Sequence, residues 1–221
     1  MAKTLVIGAS GGIGAALCRA LQDAGHEVTA LSRRTDGIDL TDEDSIRDAL
    51  APLTPPYAQI IVATGALVID GAEPEKSLRD LDPAALAAQY QLNAIGPALV
   101  LKYALRLLPR TDRSVFAVLS ARVGSIGDNR LGGWYGYRAA KAGLNALIHG
   151  AAIEVARSHP QAICICLHPG TVATEFTRAY AGRHPTVPAP EAAANLLRVM
   201  DGLSAEDNGG FRDWSGQTVP W

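Results

Sequence analysis

Short, almost wholly apolar runs alternate along this chain with longer stretches whose apolar residues recur every three or four positions. Lys3–Gly8, Glu27–Leu31, Gln59–Ala63, Ser114–Ser120 and Ala162–His168 have strand length and are rich in Val, Ile, Leu and Ala. Stretches near Ile13–Ala24, Asp42–Leu50, Pro83–Leu108, Tyr135–Ser158 and Pro190–Gly202 have helical spacing. Strands without polar alternation are covered on both faces, so this pattern predicts a parallel sheet between two helical layers. Right-handed crossovers then give a doubly wound α/β fold, in which ligands gather beyond the carboxyl ends of the strands. Gly209–Trp214 adds a candidate edge strand.

The first strand runs into its helix through Ile7-Gly8-Ala9-Ser10-Gly11-Gly12-Ile13-Gly14. Glycines let a backbone turn tightly and approach phosphates closely, and the helix N-terminus presents free N–H groups to the anion. The spacing is Gly8-x-x-x-Gly12-x-Gly14 rather than G-x-G-x-x-G, and such a turn also occurs with no ligand. Its weight comes from partners: Ala63-Thr64-Gly65, Ser120 and His168-Pro169-Gly170 fall at the ends of other strands, at one shared site. Ser32-Arg33-Arg34 follows the second strand. An acidic residue there would hold a ribose 2′-hydroxyl and mark NAD, whereas arginine pairs with a 2′-phosphate. No carboxylate comes before Asp36, so the cofactor expected is NADP rather than NAD, although two arginines after a strand are also ordinary surface charge.

Tyr137-Arg138-Ala139-Ala140-Lys141 places a phenol and an ammonium at i and i+4, on one helix face. A free tyrosine ionises near about 10, and a nearby cation lowers that value toward a usable general acid or base. Alone, such a pair is ordinarily a solvated helix face. Downstream of a nucleotide turn and of a strand ending in Ser120, it is a candidate catalytic pair.

Together, the Gly8/Gly12/Gly14 turn, Tyr137-x-x-x-Lys141, Asn93 in Leu92-Asn93-Ala94-Ile95-Gly96, and Pro169-Gly170-Thr171-Val172 resemble the short-chain dehydrogenase/reductase family. The order matches from residue 4 to about residue 177. Arg122-Val123-Gly124-Ser125-Ile126, Gly132-Gly133-Trp134-Tyr135 and Tyr137-Arg138 are similar to the C-factor-like branch of small carbonyl reductases. The resemblance implies one NAD(P)-binding Rossmann domain over residues 1–221, with a parallel sheet of about seven strands. It implies that Tyr137 protonates a carbonyl oxygen as hydride arrives, that Lys141 holds the nicotinamide ribose and lowers the tyrosine pKa, and that Asn93 anchors a relay water. It places Pro169, Gly170, Val172 and Thr174 along the nicotinamide, Asp39 and Leu40 at the adenine, and Ala63, Thr64 and Gly65 along the adenosine. Asp39 could equally start a turn or cap the helix after Thr41. The substrate segment would be about Thr174–Pro190, which is short and implies an open site.

Two departures matter. Relatives usually carry Asn-Asn-Ala-Gly where this chain has Ala63-Thr64-Gly65-Ala66. Many also place a catalytic serine three residues before the glycine that is Gly124 here, and that position is Ala121. Neighbouring residues on a strand face opposite ways. Three readings stay open: Ser120 re-aimed by a bulge as the catalytic serine, Ser125 substituting from the following loop, or a site without this hydroxyl.

Composition narrows the classes. A length of 221 residues with 48% apolar content suits a single globular domain, and a net charge of −2 offers no attraction for nucleic acid or an anionic membrane. The uncharged stretch Ala51–Ile69 is broken by Pro52, Pro55 and Pro56, so no spanning helix is expected. The first strand begins so early that no leader is expected, and the location expected is cytoplasmic. Cys18, Cys164 and Cys166 suit core thiols in a reducing compartment, with no zinc spacing. His168 suits packing better than catalysis. Trp134, Tyr135 and Phe176 are candidates for the substrate pocket or the core. Ala140, Gly143 and Ala146 would allow close helix approach, across the homodimer or homotetramer the family implies or within one subunit. The function expected is NADPH-dependent reduction of a small aldehyde or ketone. The competing class is an NADP(H)-binding signalling or redox-sensing protein with weak catalysis. A nucleotide-sugar epimerase or dehydratase fits less well, because it needs a larger C-terminal region.

Overall fold

The computed structural model describes residues 2–180 and 185–221. Strands β1 (Lys3–Ile7), β2 (Glu27–Leu31), β3 (Gln59–Val62), β4 (Ser114–Leu119), β5 (Ala162–His168) and β8 (Phe211–Asp213) form one sheet in the order β2-β1-β3-β4-β5-β8. Every neighbouring pair is parallel. Between them come the helices α1 (Gly12–Asp23), α2 (Arg33–Asp36), α3 (Glu43–Leu50), α4 (Pro83–Tyr90), α5 (Gly96–Ala104), α6 (Tyr135–Val155) and α7 (Ala189–Asp201). Two short strands, β6 (Val172–Ala173) and β7 (Val187–Pro188), pair with each other apart from the main sheet.

Alternate residues of the buried strands feed two cores. Leu17, Leu21, Leu196 and Met200 of α1 and α7 meet Val115, Ala117, Ile163 and Ile165 on one face. Ile46, Val100, Leu144 and Ile148 of α3, α5 and α6 meet Phe116, Val118, Cys164 and Cys166 on the other. The three cysteines are buried free thiols. This is the doubly wound Rossmann arrangement expected. The strand order reverses beside β1, which opens a crevice over the carboxyl ends of β1 and β3.

The main sheet has six strands where about seven were expected. The tail supplies β8, but among the described residues nothing continues the sheet beyond β2. The chain after α2 is taken up by turns: Gly37 is left-handed (φ 72°), and Asp39 accepts from the N–H and hydroxyl of Thr41. Ile38 and Leu40 are drawn into the core from a segment too short to pair.

The helical stretch Pro83–Leu108 is also not one helix. Gln91–Ile95 widens into a π turn in which the N–H of Gly96 reaches Gln91. Pro97 has no N–H to return to the carbonyl of Asn93, so a regular α turn would lose a bond there. The wide turn buries Asn93 at the edge of the crevice, and a single 3₁₀ turn, Leu105–Leu107, ends the stretch.

Candidate active site

Gly8 leaves β1 with φ 91°, its N–H on the carbonyl of Leu31 at the end of β2. A Cβ at Gly14 would sit 2.2 Å from the carbonyl oxygen of Gly8, so only glycine lets α1 pack this close to the turn. The first turn of α1 has neither an acidic residue nor a side-chain cap, the kind of helix N-terminus that favours an anion. Gly12 lies against the methyl of Thr174, which brings the segment after β5 over the turn. The crevice holds about 280 Å³ and is lined by Gly8, Ser10 and Gly11, by Arg33 and Arg34, by Asp39 and Leu40, and by Ala63, Thr64 and Gly65. Ile38, Ala66 and Leu92 line it too. The sequence reading did not assign these three, since they are small or apolar residues without a motif. A hollow of about 320 Å³ between α7 and β8, lined by Arg198, Asp207 and Arg212, contains none of the predicted groups.

Of the predicted cofactor residues, Gly12, Ile13, Gly14, Pro169, Gly170, Val172 and Thr174 do not line this crevice, and neither does Ser32. It is buried, and its hydroxyl accepts from the N–H of Thr35 as the cap of α2. Asp36 turns back to accept from the N–H of Ser32 at 2.8 Å. The first carboxylate after β2 is thus spent on capping. Arg33 and Arg34 stand exposed on the crevice wall, and among the described residues neither forms an ion pair. Asp39 starts a turn with Thr41, whose hydroxyl is the main cause holding its carboxyl below the ordinary range, and the cap of α3 is Asp42.

On the far side of the crevice, Asn93 grips the backbone of Ala66. Its Oδ1 accepts from the Ala66 N–H at 3.1 Å, and its Nδ2 donates to the Ala66 carbonyl at 2.9 Å and to Gln89 Oε1 at 2.7 Å. Gln89 in turn donates to the carbonyl of Leu67. Both amide hydrogens of Asn93 are therefore committed to protein and hold the loop after β3, a job the missing Asn-Asn pair left open. Gly65 sits where a Cβ would come 2.9 Å from Asn93 Oδ1 and 3.6 Å from Lys141 Nζ, which joins this wall to α6.

Tyr137 and Lys141 project from the first turns of α6 toward that junction. The Tyr137 ring lies between Trp134, edge-on at 6.4 Å, and Phe176 at 6.1 Å. Lys141 Nζ stands 5.7 Å from the centre of the Tyr137 ring and donates to the carbonyl of Leu119 at 2.9 Å. Burial sets the electrostatics of both groups. It pushes the Tyr137 phenol above its ordinary value of 10.0 and pulls Lys141 down to about 8. The lowering of the tyrosine by its lysine, expected from the resemblance, is not seen: burial alone raises the phenol, because taking it out of water penalises the phenolate.

A stability test follows from Lys141. The folded lysine releases its proton near pH 8 and the unfolded one near 10.5, so the unfolded chain binds more protons in between. Stability of the cofactor-free protein therefore gains from this group as pH rises through that window, by up to about 1.4 kcal/mol per pH unit. Lys141→Met is expected to abolish that gain. Denaturant unfolding of both proteins from pH 8 to pH 10 measures the difference, and parallel curves would contradict it.

The serine question has a geometric answer. The ladder stays regular through Ser120, whose N–H donates to Leu167, with no bulge to re-aim the side chain. Ser120 therefore continues the α6-facing side of β4, and its hydroxyl donates to Asn145 Oδ1 at 2.7 Å, two turns beyond Tyr137 and 4% exposed. Ser125 is buried and accepts from the N–H of Asp128. The Ser120 proton is thus spent on Asn145, whereas Ser125 is shown only as an acceptor. His168 is largely buried and pulled down to about 4 by that burial, so it is a neutral packed residue. Among the small residues of α6, Ala140 is buried and Gly143 lies against the Tyr90 ring of the same chain, which leaves Ala146 exposed. Of the substrate segment Thr174–Pro190, residues 181–184 lie outside the described residues.

Comparison with known proteins agrees with this geometry. A family model described as enoyl-(acyl carrier protein) reductase, a short-chain dehydrogenase type, matches residues 8–204. The chain belongs to the short-chain dehydrogenase/reductase family and is an oxidoreductase of that type. It is 29% identical over 236 residues to 1-hydroxy-2-glutathionyl-2-methyl-3-butene dehydrogenase of Rhodococcus sp. (strain AD45), covering 100% of both chains. It is 36% identical over 146 residues to the C-signal of Myxococcus xanthus, covering 66% of this chain and 84% of that protein. Among solved structures, the carbonyl reductase Sniffer of D. melanogaster superposes with a TM-score of 0.84 at 21% identity, over 100% of both chains. An NADPH-bound carbonyl reductase from chicken fatty liver gives 0.82 at 22%, over 99% of this chain and 98% of that one. No helix among the described residues is long and apolar enough to cross a membrane.

Proposed function

We propose that this protein is a cytoplasmic, NADPH-dependent reductase of small aldehydes or ketones, working as a homodimer or homotetramer, with Tyr137 as its general acid/base. The observation that carries this reading is the convergence of Tyr137, Lys141 and Gly65 beside a crevice whose other end is the Gly8 turn with Arg33 and Arg34. The residues suit NADPH: a close-packed glycine cradle, an uncapped helix N-terminus, two exposed arginines that form no ion pair among the described residues although Arg33 feels the charge of Asp39, and Thr64 with a buried hydroxyl that has no protein partner. Bound there, the reduced nicotinamide supplies the hydride. Arg33 and Arg34 hold the 2′-phosphate, and the α1 N-terminus holds the pyrophosphate. Lys141 spends one donor on Leu119 and keeps the others for the ribose. Tyr137, kept protonated by burial, delivers its proton to the carbonyl oxygen of the substrate. Asn93 positions the loop that carries Gly65, and its relay water is proposed on the family resemblance alone. The Rhodococcus relative acts on a glutathionyl alcohol, so such conjugates belong in the substrate panel beside simple aldehydes, ketones and quinones. NADPH consumption across that panel tests the reading. Tight NADPH binding with no turnover that depends on Tyr137 would overturn it.

A second reading, an NADP(H)-binding signalling or redox-sensing protein with weak catalysis, is favoured by Ala121 and by Ser120, whose proton is spent on Asn145, together with the likeness to the C-signal. The loss of one oxyanion-side donor typically costs about 2.7–4 kcal/mol of transition-state stabilisation. Ala121→Ser is therefore expected to raise kcat by about tenfold or more with NADPH affinity unchanged, measured by steady-state kinetics. An unchanged kcat would mean that the site does not use that position.

A further inference from the structure

Glu75 lies in the loop after β3, in the acidic stretch Glu73-Pro74-Glu75. The structure buries it at 8% exposure. Both carboxylate oxygens accept from the N–H of Gly136, at 3.2 and 3.1 Å, and the Glu75 carbonyl accepts from the N–H of Trp134 at 2.6 Å. Among the described residues no Lys or Arg pairs with it.

A buried carboxylate without a cation is a costly feature, and this one sits at the start of the helix that carries Tyr137 and Lys141. At the start of α6, Trp134 enters in a left-handed conformation, φ 53°, and its side chain does not cap the helix. Glu75, 61 residues upstream, supplies the acceptor and the negative charge that a helix N-terminus favours. Gly136 is shaped to this contact, since a Cβ there would stand 2.8 Å from Glu75 Oε1. The two backbone groups held by Glu75 also frame the phenol: Gly136 precedes Tyr137, and the Trp134 ring lies edge-on against it.

We propose that Glu75 is a positioning residue for Tyr137, fixing the first turn of α6 and the Trp134 ring so that the phenol hydroxyl stands where Lys141 and the substrate meet. The proposal rests on Tyr137 being the proton donor. Its test pairs kinetics with a measurement that does not need turnover. Tyrosine ring carbons are isotopically labelled, and the Tyr137 signal among the six tyrosines is assigned as the one absent from Tyr137→Phe. In Glu75→Ala the Tyr137 signal is expected to shift or broaden while Tyr57 and Tyr103 stay in place. The kcat should fall about tenfold or more, with the Kd for NADPH within about twofold. Glu75→Gln keeps one oxygen on the Gly136 N–H and should restore both signal and kcat to within about threefold. Gly136→Ala displaces the carboxylate without removing it and should act like Glu75→Ala, which covers the case in which Glu75→Ala does not fold. An unmoved Tyr137 signal in the disruptive variants overturns the proposal. So does a fall in kcat matched by an equal loss of NADPH affinity, which marks a general loss of structure. If wild-type turnover does not depend on Tyr137, the reductase reading fails by itself, and the ring signal still decides whether Glu75 holds that residue.

Discussion

Tyr137→Phe is expected to lower kcat by about 10²- to 10⁴-fold, the range a positioned general acid supplies. The ring packs between Trp134 and Phe176, and phenylalanine keeps that packing, so only the hydroxyl is lost. NADPH affinity should change little, because the crevice residues around the Gly8 turn are untouched. Burial keeps the phenol protonated well above neutral pH, which suits a proton donor in the direction of carbonyl reduction. The measurement is kcat under saturating NADPH with the best substrate of the panel, beside NADPH binding by fluorescence. A variant retaining a third or more of the wild-type kcat would remove Tyr137 from the chemistry and leave the site without an identified acid.

The second large effect is expected at the cofactor. Arg33 and Arg34 line the crevice, and the nearby carboxylate of Asp36 is occupied by the backbone of Ser32. Hydrogen bonds to charged groups contribute about 1.5–3 kcal/mol each. Replacing both arginines with alanine should therefore weaken NADPH binding by about 10²- to 10⁴-fold and leave NADH within about threefold. The contrast between the two cofactors is the informative quantity, since damage to the glycine turn would weaken both alike. Equal losses for NADH and NADPH would mean that the arginines do not read the 2′-phosphate.

Much of this was legible in the residues because its causes are local. Apolar runs located five of the strands, and the tail at Gly209–Trp214 contained β8. The glycine turn, the two arginines and the Tyr137/Lys141 pair followed from spacing along a single element. The extent of the sheet and the continuity of Pro83–Leu108 were not legible. Turn chemistry at Gly37–Thr41 ended the sheet at β2, and Pro97 opened a π turn at Asn93.

The sequence by itself determined the class of fold, the place of the glycine turn and the presence of a phenol and an ammonium on one helix face. Periodicity and short motifs depend on residues within a few positions of each other, so they survive without coordinates. Only the tertiary structure decided that Ser120 serves Asn145, that Asn93 serves Ala66, and that Glu75 caps α6 from 61 residues away. It also decided that burial raises the Tyr137 phenol. Each of these depends on which distant groups share a dry space, because the strength of a charge or a hydrogen bond is set by its surroundings and not by its neighbours in the chain.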